Sequence, residues 1–173
     1  RHGAGHRDLP NHINHRANLS ALKELGATAV VSLSICGVLD PATGLGRPLL
    51  ANDLHFPFNR LGNGETCTVF DQPGEPGRGH LLAESFFHPG LRETVAARLD
   101  GLFDGGAASG CYGSVDGPRF NSKAEIRALR AAGVAFVSQT CGAEAVLANE
   151  LELPYALAGF GVDFANGVTA EPT

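Results

Sequence analysis

The chain has 173 residues, 43% hydrophobic and 18% charged, which suits one compact domain with a core and excludes disorder. A formal net charge of −5 gives no global field for nucleic acid or anionic lipid, so an anionic ligand needs a local site. No apolar run approaches the roughly 20 residues of a bilayer span, and no signal-peptide pattern is present.

Residues 1–18 are polar, rich in histidine and glycine, broken by Pro10, and read as loop. Residues 18–25 (NLSALKEL) predict a short helix, with Leu19, Leu22 and Leu25 spaced along it and Gly26 as its stop. Residues 29–35 (AVVSLSI) predict a strand that Cys36-Gly37 ends. Helix followed by strand is the alternation of an α/β sheet protein. Residues 40–48 and 62–79 are crowded with Gly, Pro, Asn and Asp, and read as loops around a short strand at 49–56. Loops this long inside a compact domain are usually functional or mobile. Residues 91–103 predict a helix with Leu91, Val95, Leu99 and Leu102 on one stripe. A strand at 110–115, a helix at 122–132, a strand at 134–138, a helix at 143–151 and a strand at 155–162 follow. Ser122 and Glu125 form an S-x-x-E box at the start of helix 122–132, and Gly133 stops it. The last eleven residues carry no usable pattern. No repeat, linker or low-complexity tract divides the chain, which reads as one domain over residues 1–173.

Cys36, Cys67, Cys111 and Cys141 are scattered, with no C-x-x-C pair, which excludes zinc-ribbon and thioredoxin motifs. Such cysteines read as small buried hydrophobes in a reducing compartment, and the expected address is the cytoplasm. The chain opens on Arg1 and contains no methionine, so it reads as a processed or truncated form, or part of something longer.

Four constellations carry possible chemistry. In R-H-G-A-G-H, Arg1 offers a forked, permanent charge beside His2, and the glycines admit backbone N–H groups to an oxyanion. A frayed terminus is the alternative reading. The histidines lack an interleaved carboxylate or cysteine at a ligand spacing, so no metal is expected. In G-P-R-F, a rigid turn presents Phe120, either to stack on a planar heterocycle or to plug the core. In S-Q-T-C-G-A-E-A a strand ends and a helix begins, a place that attracts anions; Thr140 offers a hydroxyl there. Glu144 suits a sugar hydroxyl or a local ion pair. Asp163 follows the last apolar strand, placed for proton transfer to a ring nitrogen or serving as a turn residue.

Several of these residues fall into ordered blocks. Arg1-His2-Gly3, Pro10-x-x-Ile13-Asn14-x-Arg16-Ala17-Asn18 and Ala21-Leu22-Lys23 resemble the first block of methylthioadenosine and trimeric purine nucleoside phosphorylases. Cys36-Gly37 resembles that family's turn after a strand, and Asp116-Gly117-Pro118-Arg119-Phe120-x-Ser122-x-Ala124-Glu125 its E-G-P-R-F segment. Gln139-Thr140, Glu144, Leu147-Ala148 and Glu150 are similar to its M-T-x-x-P-E-x-x-L-A-x-E segment.

The resemblance implies an α/β nucleoside phosphorylase fold, with a central mixed, partly barrel-like β-sheet flanked by helices, assembled as a homotrimer. It implies a pentosyltransferase that cleaves a purine nucleoside of the inosine, guanosine or 5′-methylthio type. Inorganic phosphate is the implied co-substrate, with no metal or organic cofactor and no nucleic-acid or membrane partner. Arg1, His2, Ser34 and Thr140 would hold phosphate, Phe120 would stack on the base, and Gln139 would flank the ribose. Asp163 would bond the N7 edge and act with Arg1 and His2 in catalysis, while His80 would reach a neighbouring subunit's 5′ pocket. The departures bear on specificity and activity. The family's glycine-rich first strand would precede Arg1, and its closing helix would follow Asn166. Ala165 stands where adenine-selective members keep a second aspartate, and Asn166 beside it suits a 6-oxopurine. Leu33-Ser34-Ile35 replaces a more hydroxyl-rich stretch, and Gln139 a methionine. A nucleoside hydrolase and a catalytically silent nucleoside-binding homologue therefore stay open beside the phosphorylase.

Overall fold

The computed structural model describes residues 1–169. Two single 3₁₀ turns, Ala4–His6 and Pro10–His12, occupy the expected opening loop. The Asn14 side chain then accepts from the Ala17 N–H at 3.0 Å and caps helix α1, His15–Glu24. The helix starts earlier than the predicted residue 18 because the cap, and not the leucine spacing, sets its first turn. Of the three leucines only Leu19 is buried; His15 is the other inward residue.

Strand β1, Val30–Val38, runs on past the point where Cys36-Gly37 was expected to end it. The pair instead forms an irregularity in the parallel ladder with β5, Tyr155–Phe164, after which Gly37 faces Asp163. Between them the chain forms β2 (Pro48–His55), α2 (Pro89–Asp100), β3 (Ala108–Ser114), α3 (Lys123–Ala131), β4 (Val134–Ser138) and α4 (Cys141–Glu150). The strands close into a barrel in the order β1-β4-β3-β2-β5. The β1/β5, β2/β3 and β3/β4 pairs are parallel, and β1/β4 and β2/β5 antiparallel. This is the mixed, barrel-like sheet with flanking helices that the family resemblance implies.

The helices differ in how they use that barrel. Every residue from Cys141 through Ala148 in α4 is buried, as befits a helix that is apolar almost all round. It packs against α1, β1, β3 and β5, and a Cβ on Gly142 would collide with Ser114 of β3. Full burial of a side chain such as Leu147 contributes roughly 1.5–3 kcal/mol. By contrast α2 has no fully buried residue, and Leu102 of its predicted stripe lies beyond the helix end, exposed. In α3 the capping box forms: Ser122 Oγ accepts from the Glu125 N–H at 3.3 Å, and Glu125 Oε2 accepts from the Ser122 N–H at 2.7 Å.

The irregular stretch 56–88 is tied down by contacts with α1, α4 and β5. Arg16 donates to the Thr68 carbonyl at 2.6 Å, and Glu150 Oε2 accepts from Thr68 Oγ1 at 3.0 Å and the Val69 N–H at 2.6 Å. Asn149 Nδ2 donates to the Phe86 carbonyl at 2.9 Å, and Phe87, fully buried, packs on Tyr155. All four cysteines are free, and burial pushes the Cys36 and Cys67 thiols up to about 12. No described helix is long and apolar enough to cross a membrane.

Candidate active site

A cavity of about 650 Å³ opens near the ends of β1, β4 and β5. Arg1, His2, Ser34 and Thr140 line it, and so do Phe120, Gln139, Asp163 and Asn166. The structure thus brings together residues from five separate stretches of sequence. His80 is not among them; it sits exposed in the 56–88 segment.

One cluster centres on Arg1. Its Nε–H donates to Glu144 Oε1 at 2.5 Å, one Nη2–H to Glu144 Oε2 at 2.8 Å, and one Nη1–H to the Leu33 carbonyl at 3.1 Å. Glu144 is only 6% exposed, so the reading of it as a local ion pair holds and the sugar-hydroxyl alternative does not. Its Oε2 also accepts from Ser32 Oγ at 2.6 Å and Tyr155 Oη at 3.0 Å. Burial alone would raise the carboxyl's pKa, but the Arg1 hydrogen bonds and charge, with Ser32, hold it below the usual carboxylate range. Burial likewise opposes the Arg1 charge, and the bonds to Glu144 outweigh it, so the guanidinium stays charged. His15 lies against this pair, with Nδ1 3.9 Å from Glu144 Oε1 and no hydrogen bond; burial pushes its pKa down and keeps it neutral.

The neighbouring groups are oriented as firmly. His2 Nδ1 donates to the Asp8 carbonyl at 2.8 Å, since a carbonyl only accepts. That leaves Nε2 to accept from a protonated oxyanion, or to donate when the ring is charged. The His2 ring stacks on His6 with centroids 4.1 Å apart. Ser34 Oγ lies 3.1 Å from Ser138 Oγ, which is 2.8 Å from Tyr112 Oη. Thr140 stands at the N-terminus of α4, and its hydroxyl makes no capping bond to that helix.

The second cluster is looser. Arg119 pairs with Glu125 through Nη1 at 2.9 Å and Nη2 at 2.7 Å, fastening the G-P-R-F turn to the first turn of α3. The Arg119 hydrogen bonds pull the Glu125 carboxyl down to about 2. Phe120 rises from that turn 77% exposed, so the core-plug alternative fails. Gln139 Nε2 donates to the Arg119 carbonyl at 3.2 Å, and a side chain at Gly117 would collide with the Gln139 amide. Asn166 Nδ2 donates to the Asn121 carbonyl at 2.7 Å, which leaves its Oδ1 as acceptor. Asp163 has no cationic partner among the described residues, and burial pushes its pKa up.

Ser32, Tyr155, Ser138 and Tyr112 escaped the sequence reading. Ser32 carried a usable signal: it shares the inward face of β1 with Ser34 and Cys36, where a hydroxyl needs a partner. Nothing local distinguishes Tyr112 or Tyr155 from other core aromatics.

The sequence model of the Phosphorylase superfamily matches residues 2–173. The S-methyl-5′-thioadenosine phosphorylase of Mycobacterium tuberculosis is 36% identical over 170 residues, which are 98% of this chain and 60% of that protein. The 6-oxopurine nucleoside phosphorylase of Pyrococcus furiosus is 32% identical over 176 residues, covering 99% and 64%. The methylthioadenosine phosphorylase of Schistosoma mansoni, solved in complex with adenine, superposes with a TM-score of 0.86 at 26% identity, covering 99% and 65%. The chain therefore spans less than two thirds of the length of these relatives.

Proposed function

The chain belongs to the Phosphorylase superfamily, and from that premise we propose that it cleaves the N-glycosidic bond of a purine nucleoside by phosphorolysis. The substrate is of the inosine, guanosine or 5′-methylthio type, and the products are the free purine and a ribose 1-phosphate. The observation that carries this reading is the convergence of a guanidinium, two hydroxyls, an exposed aromatic ring and a protonatable carboxyl on one cavity.

The chemistry follows from charge. As the glycosidic bond breaks, positive charge develops on the ribose and negative charge on the purine. Phosphate held by Arg1, His2, Ser34 and Thr140 stabilises the cation and attacks the anomeric carbon. Phe120 stacks on the base and Gln139 flanks the ribose. Burial raises the Asp163 pKa and so favours its protonated form, which donates to N7 and stabilises the leaving group. Phosphate is a co-substrate, and the reaction calls on no metal or organic cofactor.

In this reading the enzyme is a cytoplasmic homotrimer, and His80 of each subunit reaches the 5′ pocket of a neighbour. The exposure of His80, away from its own cavity, is compatible with that role.

The test is purine release from inosine, guanosine, adenosine and methylthioadenosine, each with and without inorganic phosphate. Strictly phosphate-dependent release is expected, and the preferred nucleoside reads out how Ala165 and Asn166 meet the purine edge. Release without phosphate would identify a hydrolase. Binding without release would identify a silent homologue.

A further inference from the structure

A guanidinium carries five N–H donors. In Arg1 three of them are taken by the protein: Nε–H and one Nη2–H by Glu144, and one Nη1–H by the Leu33 carbonyl. One donor remains on each terminal nitrogen, and Arg1 lines the cavity with Ser34 and Thr140. Glu144 is itself immobilised, because its Oε2 receives the Ser32 and Tyr155 hydroxyls from β1 and β5. The orientation of the arginine is therefore set by a buried carboxylate on α4, which is held in turn by the barrel wall.

We propose that Glu144 is a positioning residue for phosphate: it fixes the roll of the Arg1 guanidinium so that the two unspent N–H groups are presented to the oxyanion. The proposal rests on the phosphorolytic reading for its choice of anion. It makes a counter-intuitive claim about charge. Glu144 neutralises Arg1, so simple electrostatics predicts that removing the carboxylate strengthens the attraction for a phosphate dianion. Positioning predicts the reverse. The loss of a two-point clamp frees a long side chain to rotate, and the ordering cost then falls on phosphate binding.

A role confined to gluing α4 to the chain start would lower stability and leave phosphate affinity unchanged in the folded fraction. The two roles therefore separate cleanly in one variant, Glu144→Gln, which keeps the shape and a single acceptor. The experiment titrates inorganic phosphate into the full chain and follows both heat release and the arginine Nε–H signals in a ¹H–¹⁵N spectrum. Phosphate KM and nucleoside KM are measured alongside.

In the wild type, a protected Arg1 Nε–H signal that shifts with phosphate is expected. In Glu144→Gln, phosphate binding is expected to weaken about tenfold, the usual scale for losing an orienting partner, with nucleoside KM unchanged. Equal or tighter phosphate binding in the variant would overturn the proposal, as would a wild-type protein that does not bind phosphate. Tyr155→Phe and Ser32→Ala each remove one hydroxyl from Glu144 and guard against a variant that does not fold. Each is expected to weaken phosphate binding two- to threefold, and unchanged binding in both would count against the idea. Phosphate binding that weakens in the variant while no nucleoside is cleaved would sink the phosphorylase reading and leave the positioning role standing. Phosphate-dependent cleavage with an unaltered phosphate KM in Glu144→Gln would do the opposite.

Discussion

The two clusters that share the cavity are built on different plans. Around Arg1 the groups are held in place by direct bonds: three of five guanidinium donors go to Glu144 and Leu33, the carboxylate accepts from Ser32 and Tyr155, and His2 donates to Asp8. Around Phe120 the ring is open to solvent, Asp163 has no cationic partner among the described residues, and Asn166 keeps a free acceptor. The first cluster clamps the irregular chain start against strands and a buried helix, whereas the second hangs largely on a turn and on the end of β5. The difference matches two tasks. A small, highly charged anion rewards donors fixed in advance, because a misplaced charge in a low-dielectric site is costly. A flat heterocycle rewards an accessible face and a few groups that can still change partner or protonation state.

Arg1→Ala is the harshest way to break the first cluster. Phosphate-dependent purine release is expected to fall by about 10²–10³ or more, the scale of losing a principal donor to the reacting charge. The change also strands the buried Glu144 carboxylate, so a destabilisation of about 2–4 kcal/mol is expected. Steady-state kinetics and urea melts measure the two losses separately. Wild-type kinetics in this variant would remove Arg1 from the site.

Asp163→Asn tests the second cluster next, with an expected loss of about 10²-fold in kcat and little change in phosphate KM. Because burial raises the Asp163 pKa, the donor form is present below that value and is lost as pH rises through it. Wild-type kcat is therefore expected to decline on that alkaline side, and the Asn variant to lack this limb. An identical pH profile in both proteins would exclude Asp163 as the proton donor. Phe120→Ala is the mildest of the three. With a ring so exposed, stability is expected to stay level while nucleoside KM rises about three- to tenfold, which initial-rate measurements resolve.

The sequence was most legible where one local rule dominated. The S-x-x-E box gave α3 its start, and the V-A-F-V-S run marked β4 at both ends. The α1 start was displaced because Asn14 capped the helix ahead of its leucines, and the β1 end because a Cys-Gly pair bent the ladder without stopping it. Phe120 could be proposed from its motif and Asp163 from its place near the carboxyl end of the last strand, although that strand runs one residue past it. The Arg1 network could not be read in the same way. Ser32, Glu144 and Tyr155 are separated by 112 and 11 residues in the chain and meet only when the barrel closes. No window of sequence contains that contact. Glu144 was visible as a carboxylate on a helix, but its partner could be named only in three dimensions.

The thiols carry a last consequence. Burial pushes the Cys36 and Cys67 thiols up to about 12, which disfavours the reactive thiolate, and both side chains are shut away from solvent. Alkylating reagents can therefore reach each of them at a useful rate only when the structure around it opens. Cys36 lies beside the irregularity in β1, and Cys67 in the stretch tied down by Arg16 and Glu150. The two labelling rates thus act as separate clocks, one for the breathing of the sheet and one for release of the long loop.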